Sequence, residues 1–151
     1  MRTIDAVRRS AVAVGPERTV AEAAGVMEAA GVGALGVVDE GGHLLGILTD
    51  RDLVCRVLAR RAPVDGRVDA VMSAPVTTID AGADLREAFA LFRTHALRRL
   101  AVVDQGRFVG MVSVDDMLMD VAADLADLVR PVTAEVLFGH HDSPVPVATG
   151  G

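Results

Sequence analysis

An internal repeat is the feature of this sequence that most constrains its fold. The segment TVAEAAGVM, which begins at Thr19, is similar to DLREAFALF, which begins at Asp84, 65 positions later. The same offset aligns LGVVD, from Leu35, with LAVVD, from Leu100. Because both halves present the same motifs in the same order, the chain is predicted to contain two copies of one supersecondary unit.

Each copy is predicted to have the order β-α-β-β-α. A short strand (residues 11–14 and 76–79) precedes a helix whose first polar residue is followed by a Glu at capping-box spacing. An apolar hairpin and a second helix, which begins at Asp50 or Val114, complete the unit. The first helices are expected to bury one face at i, i+3, i+4 and i+7 spacing. Its residues are Val20, Ala23, Ala24 and Met27 in one copy and Leu85, Ala88, Phe89 and Phe92 in the other.

The predicted fold class is α/β, with the two units packed as a pseudo-twofold pair. One unit of about 60 residues is only marginally stable alone, and a pair can share a core. The first unit is assigned to residues 4–60, the linker to 61–68 and the second unit to 69–123. Residues 124–138 are expected to form a C-terminal helical extension, and residues 139–151 a disordered tail.

The helix that follows the second hairpin carries a longer apolar stripe than its counterpart in the first copy. It is expected to end before Pro131, because a residue that precedes proline disfavours the helical conformation. The stripe could pack on its own module or form a dimer contact, and its width leaves both interpretations open. Its members are Leu118, Val121, Ala122, Leu125 and Leu128.

Composition and charge exclude several classes of function. The formal net charge of −6 argues against a nucleic-acid partner, which requires a basic face. Cys55 is the only cysteine, so neither an intramolecular disulfide nor a multi-cysteine metal site can form, and it is expected to be a small buried residue. No apolar run approaches the ~18 residues of a membrane span. A cytoplasmic protein without a membrane partner is expected.

Each copy ends in the motif Gly-x-x-Ser/Thr-x-x-Asp at a strand-to-helix junction. A hydroxyl followed by an acid at this spacing is an ordinary helix N-cap, which suffices to explain one copy. The same groups could instead hold an adenosine phosphate, with phosphate at the helix N-terminus, ribose on the carboxylate and the base against the glycine. The two motifs are Gly46…Thr49…Asp52 and Gly110…Ser113…Asp116.

These motifs, in this order and present twice, resemble a cystathionine β-synthase (CBS) domain pair, also called a Bateman module. The resemblance covers about residues 3–123. It implies an adenosyl ligand (AMP, ADP, ATP or S-adenosylmethionine) in the cleft between the units, a homodimer and a regulatory role. It also implies ligand contacts. These are ribose contacts for Asp52 and Asp116, ribose or phosphate contacts for Thr49 and Ser113, a base or phosphate contact for Thr77, and phosphate contacts for Arg99 and Arg98.

The two copies differ where the resemblance places the phosphate. Gly33 and Ala34 occupy the first-copy positions that correspond to Arg98 and Arg99. Charge-assisted hydrogen bonds from arginine are strong, so this difference affects binding. The second site is expected to bind phosphate, and the first to be weaker, empty or occupied by a nucleoside.

The predicted function is a stand-alone regulatory module. It would bind an adenine nucleotide or adenosyl ligand as a regulatory ligand rather than a cofactor, and would signal through dimer or partner contacts to a separate effector protein. The alternative is a ligand-free dimerisation or interaction module of the same fold. An enzyme is not expected, because the sequence offers no positioned base or metal site and its acids already serve as caps.

Overall fold

The computed structural model describes residues 2–138, with side chains up to residue 130. The elements of the first copy are α1 (Ile4–Val7), β1 (Arg9–Ser10), β2 (Ala13–Val14), α2 (Val20–Ala30), β3 (Ala34–Val38), β4 (Leu44–Thr49) and α3 (Asp50–Asp52), which continues as a π-helical segment (Leu53–Leu58). Those of the second copy are a 3-10 turn (Val68–Ala70), β5 (Thr78–Asp80), α4 (Leu85–His95), β6 (Arg99–Asp104), β7 (Arg107–Ser113) and α5 (Val114–Phe138). The predicted mixed α/β fold is confirmed. Val114 ends one compact unit, and α5 from Asp115 onward belongs to a second.

The first copy sends its leading segment to the second copy. The sheets have the orders β2-β3-β4 and β1-β7-β6-β5, so β1 is the edge strand of the sheet built otherwise from the second copy. It pairs antiparallel with β7, with Ser10 opposite Gly110. Ahead of it, the N–H groups of Ile4 and Asp5 each donate to a second-copy carbonyl at 2.9 Å. Ile4 is fully buried. The first residues of the chain therefore complete the second copy.

The segment that leads into the second copy packs, in turn, against the first copy. The N–H of Val68 donates to the carbonyl of Arg18 at 2.8 Å, and Val68 is buried in the core of the first copy. Ser73 then pairs with Ile47 through two backbone hydrogen bonds of 2.8 and 3.0 Å. Because each copy receives its leading segment from the other, the two copies form one interlocked body.

The first helix of each copy begins as predicted but buries a narrower face. Thr19 caps α2 by accepting from the N–H of Glu22 at 3.1 Å, and Asp84 caps α4 by accepting from the N–H of Arg86 at 2.8 Å. Ala24 and Phe89 were predicted to be buried and are exposed. The i, i+3 and i+7 positions alone cover the sheets, and the i+4 position falls on the solvent-facing flank.

A small core joins the two copies, and the residues that they contribute to it differ in size. Its buried members are Ile47, Ala101 and Phe108. A Cβ added to Gly36 of β3 would overlap the ring of Phe108, so this glycine provides the space that the ring occupies. Since interiors are close-packed, a large residue in one copy requires a small one in the other at the point of contact.

Three further expectations were wrong. The strands begin later than predicted, so Thr77 lies just ahead of β5 rather than within it. Cys55 is exposed, because the π-helical segment buries Val57 and turns Cys55 outward. The last helix does not end before Pro131, since proline has a helical φ and costs about one backbone hydrogen bond rather than forbidding a helix. The tail predicted for residues 139–151 lies outside the described residues.

Candidate functional site

The first-copy motif forms a helix cap. The N–H of Asp52 donates to Thr49 Oγ1 at 3.1 Å, and the N–H of Thr49 donates to Asp52 Oδ2 at 3.0 Å. This is a reciprocal capping box at the junction of β4 and α3. The structural explanation of the motif is therefore confirmed for this copy.

The Asp52 carboxylate is also bound to the segment that enters the second copy. Its side chain is only 12% exposed. The hydroxyl of Ser73 lies 3.4 Å from each carboxylate oxygen, and a terminal nitrogen of Arg56 lies 3.8 Å from Oδ1. The same Arg56 nitrogen donates to the carbonyls of Val71 and Met72 at 2.9 and 3.0 Å. A ribose on Asp52 would have to share or displace these contacts, which sequence reasoning did not anticipate.

The glycines of the two motifs are covered on the side where a side chain would project. A Cβ on Gly46 would lie 2.5 Å from the Met72 sulfur and 2.9 Å from the Ser73 carbonyl oxygen. A Cβ on Gly110 would overlap the carbonyl oxygen of Arg9. The exchanged segments therefore occupy the side of each glycine on which a side chain would project, and a base cannot lie on that side.

The second-copy residues occupy equivalent positions in the chain. Ser113 ends β7 and Asp116 lies in the first turn of α5, and both are half-buried. The carbonyl of Arg98 accepts from the N–H of Val114 at 3.0 Å. The equivalent bond in the first copy runs from the N–H of Asp50 to the carbonyl of Gly33, at 2.9 Å. The side chain of Arg98 is exposed, whereas Thr77 is half-buried.

Arg99 lies where the two copies meet. It begins β6 and lies directly opposite Ser113 on β7, so the two side chains share one face of the sheet. Its terminal nitrogen Nη2 reaches the first copy, where it lies 3.4 Å from the place that a Cβ on Gly33 would occupy. Asp50 Oδ2 lies 2.9 Å from that same place. The structure thus places Arg99 opposite Ser113, and the Arg99 guanidinium and the Asp50 carboxylate both border Gly33, which was not predicted.

A separate cavity of about 330 Å³ lies in the first copy and is mainly apolar. At its rim Arg18 donates to the Glu22 carboxylate at 2.8 Å, and this hydrogen bond lowers the pKa of Glu22. Its lining is Ala13, Val14, Gly15, Arg18, Glu22, Val26 and Val38, and none of these was predicted as a ligand contact.

Among the described residues, no three His, Cys, Asp or Glu side chains are grouped to hold a metal ion. No helix in the described part of the chain is long and apolar enough to cross a membrane.

Comparison with known proteins identifies the repeated unit. The model of the CBS domain matches twice, over residues 3–59 and 68–123. The CBS domain-containing protein YhcV of Bacillus subtilis is 35% identical over 116 residues, which are 77% of this chain and 82% of YhcV. Hypoxic response protein 1 of Mycobacterium tuberculosis is 30% identical over 114 residues, 75% of this chain and 80% of that protein.

Solved structures show the same fold with different bound groups. The crystal structure of Hypoxic Response Protein I, with two coordinated zinc ions, superimposes with a TM-score of 0.70 at 28% identity and covers 78% of this chain and 98% of its own. The CBS domain protein PAE2072 of Pyrobaculum aerophilum, complexed with AMP, gives a TM-score of 0.69 at 23% identity and covers 82% and 99%. Two proteins with this fold therefore hold chemically different groups.

Proposed function

The chain belongs to the CBS-domain family, and from this premise we propose that it is a regulatory module that binds an adenine nucleotide with the phosphate on Arg99. The position of Arg99 carries this proposal. Its side chain is exposed, it lies opposite Ser113 in the sheet, and its guanidinium borders Gly33 of the first copy. Such a group binds phosphate through strong, charge-assisted hydrogen bonds. AMP in the Pyrobaculum protein supports the choice of ligand class.

The roles of the remaining predicted residues follow the family pattern. Ser113 would contact ribose or phosphate, and Thr77 the base or phosphate. Asp116 would accept hydrogen bonds from the ribose hydroxyls, as acidic residues do in dinucleotide sites. Arg98 has an exposed side chain next to Arg99 and would add positive charge. Signalling would follow a change in the contacts of a homodimer or of an effector protein.

A ligand-free module is the second candidate, and the first copy favours it. The Asp52 carboxylate is engaged by Thr49, Ser73 and Arg56, and Gly46 is covered by Met72. A ligand that used Thr49 and Asp52 would break existing hydrogen bonds, which have a net value of about 0.5–1.5 kcal/mol each. Because the first copy also has Gly33 and Ala34 in place of Arg98 and Arg99, binding on the first-copy motif is expected to be weaker than binding on Arg99.

Calorimetric titration of the purified chain with AMP, ADP, ATP and S-adenosylmethionine tests the proposal. Saturable binding of at least one of the nucleotides is expected, with adenosine binding more weakly because it lacks the phosphate. Circular dichroism of the same preparation establishes that the protein is folded. Absence of binding to all four compounds at millimolar concentration would favour the ligand-free module, provided that denatured protein also releases no pre-bound nucleotide.

Asp50→Asn is expected to strengthen nucleotide binding about two- to fivefold, because it removes a negative charge beside Arg99. The increase should be larger for ATP than for AMP and should shrink at high salt. Asparagine keeps the side-chain oxygen that accepts from the N–H of Arg51 at 2.8 Å, so the start of α3 is preserved. Titrations at two salt concentrations measure the effect.

Asp65→Asn is the matched control, since it makes the same charge change at an exposed position in the segment that links the two copies along the chain. It should leave affinity nearly unchanged. An equal increase in both variants would mean that net charge, rather than proximity to Arg99, controls binding.

A further inference from the structure

The cavity of about 330 Å³ in the first copy is lined by other residues than the two Gly-x-x-Ser/Thr-x-x-Asp motifs and Arg99. All of its lining residues belong to the compact unit that ends at Val114. The cavity lies beside the first half of α2, at the carboxyl ends of the parallel strands β2 and β3, which end at Val14 and Val38. In open α/β sheets, ligands bind outside the carboxyl ends of the strands. The cavity is therefore placed where a small molecule can bind.

The two copies differ at positions that line this cavity. Val14 and Val26 correspond, at the offset of 65 residues, to Ile79 and Leu91 of the second copy. Each valine has one methylene group fewer than its counterpart. Because interiors are close-packed, smaller side chains on both the strand and the helix leave space between them. The cavity is therefore in part a consequence of the sequence difference between the copies.

Three charged side chains lie at the rim of the cavity. Arg18 donates to Oε2 of Glu22 at 2.8 Å, and their side chains are 60% and 48% exposed. The carboxylate of Glu17 lies 2.6 Å from the place that a Cβ on Gly15, a lining residue, would occupy. The rim therefore offers one guanidinium and two carboxylates next to an apolar lining.

The ion pair at the rim indicates a ligand that carries both charges itself. A ligand with only a carboxylate would take Arg18 from Glu22 and leave Glu22 without its cation. A ligand with only an ammonium group would leave Arg18 without its anion. A zwitterion leaves neither charge unpaired, because its carboxylate accepts from the forked guanidinium and its ammonium group has three donors for Glu22 and Glu17. A free α-amino acid carries both groups on one carbon atom, so it can meet the adjacent Arg18 and Glu22 together.

The apolar lining selects the side chain of such an amino acid. Val14, Val26 and Val38 provide aliphatic surface. A polar side chain placed there would lose its hydrogen bonds to water, whereas an aliphatic one would gain from burial. The volume of about 330 Å³ is at the lower end of the range of about 300–1,000 Å³ for small-molecule sites, which favours a small ligand.

We propose that this cavity binds a free α-amino acid with a branched aliphatic side chain, such as leucine. The carboxylate of the ligand binds Arg18, its ammonium group binds Glu22 and Glu17, and its side chain packs against Val14 and Val26. The site is separate from the proposed nucleotide site, and neither site requires the other.

Calorimetric titration of the full chain with free leucine tests the proposal. Saturable binding is expected at millimolar concentration. Isopentylamine lacks the carboxylate and 4-methylpentanoate lacks the ammonium group, so each forms one ion pair fewer and should bind about fivefold more weakly. An amine or acid that bound as tightly as leucine would overturn the assignment of a zwitterionic ligand.

Val26→Leu fills the cavity with the residue that the second copy has at the equivalent position. It should weaken the binding of free leucine by about tenfold or more, because the ligand and the added methylene group would occupy the same space. Val54→Leu makes the same change at a position that is 54% exposed and outside the lining, and should bind leucine as the wild-type chain does. Circular dichroism establishes that the variants are folded. Val14→Ile is a second filling variant for the case in which Val26→Leu does not fold, and it should also weaken binding.

Arg18→Ala tests the charged rim and has the residue of the second copy, Ala83, as its precedent. It should weaken the binding of leucine by about fivefold and leave the binding of isopentylamine unchanged or stronger. Arg60→Ala, at an exposed position outside the lining, is the charge-matched control and should alter neither. Equal losses for leucine and the amine would mean that Arg18 does not bind the carboxylate.

A folded wild-type chain that binds neither leucine, isoleucine nor valine would overturn the site, as would equal leucine binding by the wild-type chain and Val26→Leu. Titration with AMP separates these results from the proposed function. Val26→Leu is expected to bind AMP as the wild-type chain does. A chain that binds AMP but no amino acid would leave only the proposed function standing, and one that binds leucine but no nucleotide would support only the amino-acid site.

Discussion

Gly110→Ala is expected to destabilise the protein by about 1–3 kcal/mol, the usual cost of an overpacked site. The added methyl group would overlap the carbonyl oxygen of Arg9 and would lie 2.9 Å from Cδ of Arg8. Arg8 itself donates to the carbonyl of Val109 at 2.6 Å, so its stem cannot move without breaking that bond. The clash is with backbone, and β1 would have to leave β7 to relieve it.

Urea denaturation measures the loss, and Gly25→Ala is the matched control. Gly25 lies within α2, and a Cβ added there meets nothing within 4 Å. Alanine has the higher helix propensity, so this variant should gain about 0.5–1 kcal/mol. If Gly110→Ala were as stable as Gly25→Ala, β1 would not pack against β7 as described.

Hydrogen exchange provides a second measurement. The backbone amide of Ala11 should exchange faster in Gly110→Ala than in the wild-type chain, because its N–H donates to the carbonyl of Val109 at 3.2 Å.

The order of elements was predictable because its signals are local. Thr19 and Asp84 indicate the starts of helices, because each is followed by a Glu at capping-box spacing. The hairpins are continuous apolar runs bounded by turn residues. The exchange of leading segments was not predictable. Helix α1 has four residues and β1 has two, which is too short for any periodicity, and their partners lie in the other copy.

The candidate site was predicted from the family resemblance, and comparison of the two copies added the difference between them. Arg99 has Ala34 as its first-copy counterpart, and in the structure it lies opposite Ser113 and borders Gly33. Asp50 and Ser73 belong to no recognisable sequence motif. They are part of the candidate site only because the fold brings residues of the two copies close together. Gly33 was the one sequence feature that could have indicated this arrangement. It has no side chain, so it leaves space for the guanidinium of Arg99 beside it.

Arg99→Ala is expected to weaken the binding of AMP, ADP and ATP by about ten- to a hundredfold and to spare adenosine. Hydrogen bonds to a charged group are worth about 1.5–3 kcal/mol, which corresponds to this range. Parallel calorimetric titrations with AMP and adenosine measure the difference. Arg93→Ala, at an exposed position on α4, is the charge-matched control and should change neither affinity appreciably. Equal losses for AMP and adenosine would mean that Arg99 is structural.

A double-mutant cycle with Asp50 then tests whether the two copies share the phosphate site. If Asp50 weakens binding only through its proximity to Arg99, the gain from Asp50→Asn should disappear once Arg99 is alanine, because residues that act through one another are not additive. An undiminished gain would assign Asp50 an effect of its own on the ligand. Loss of the gain would mean that one arginine, contributed by the second copy, is held partly neutralised by a carboxylate of the first. A change that moved the Asp50 carboxylate away from Arg99 would then alter phosphate affinity, which is the coupling that a regulatory module requires.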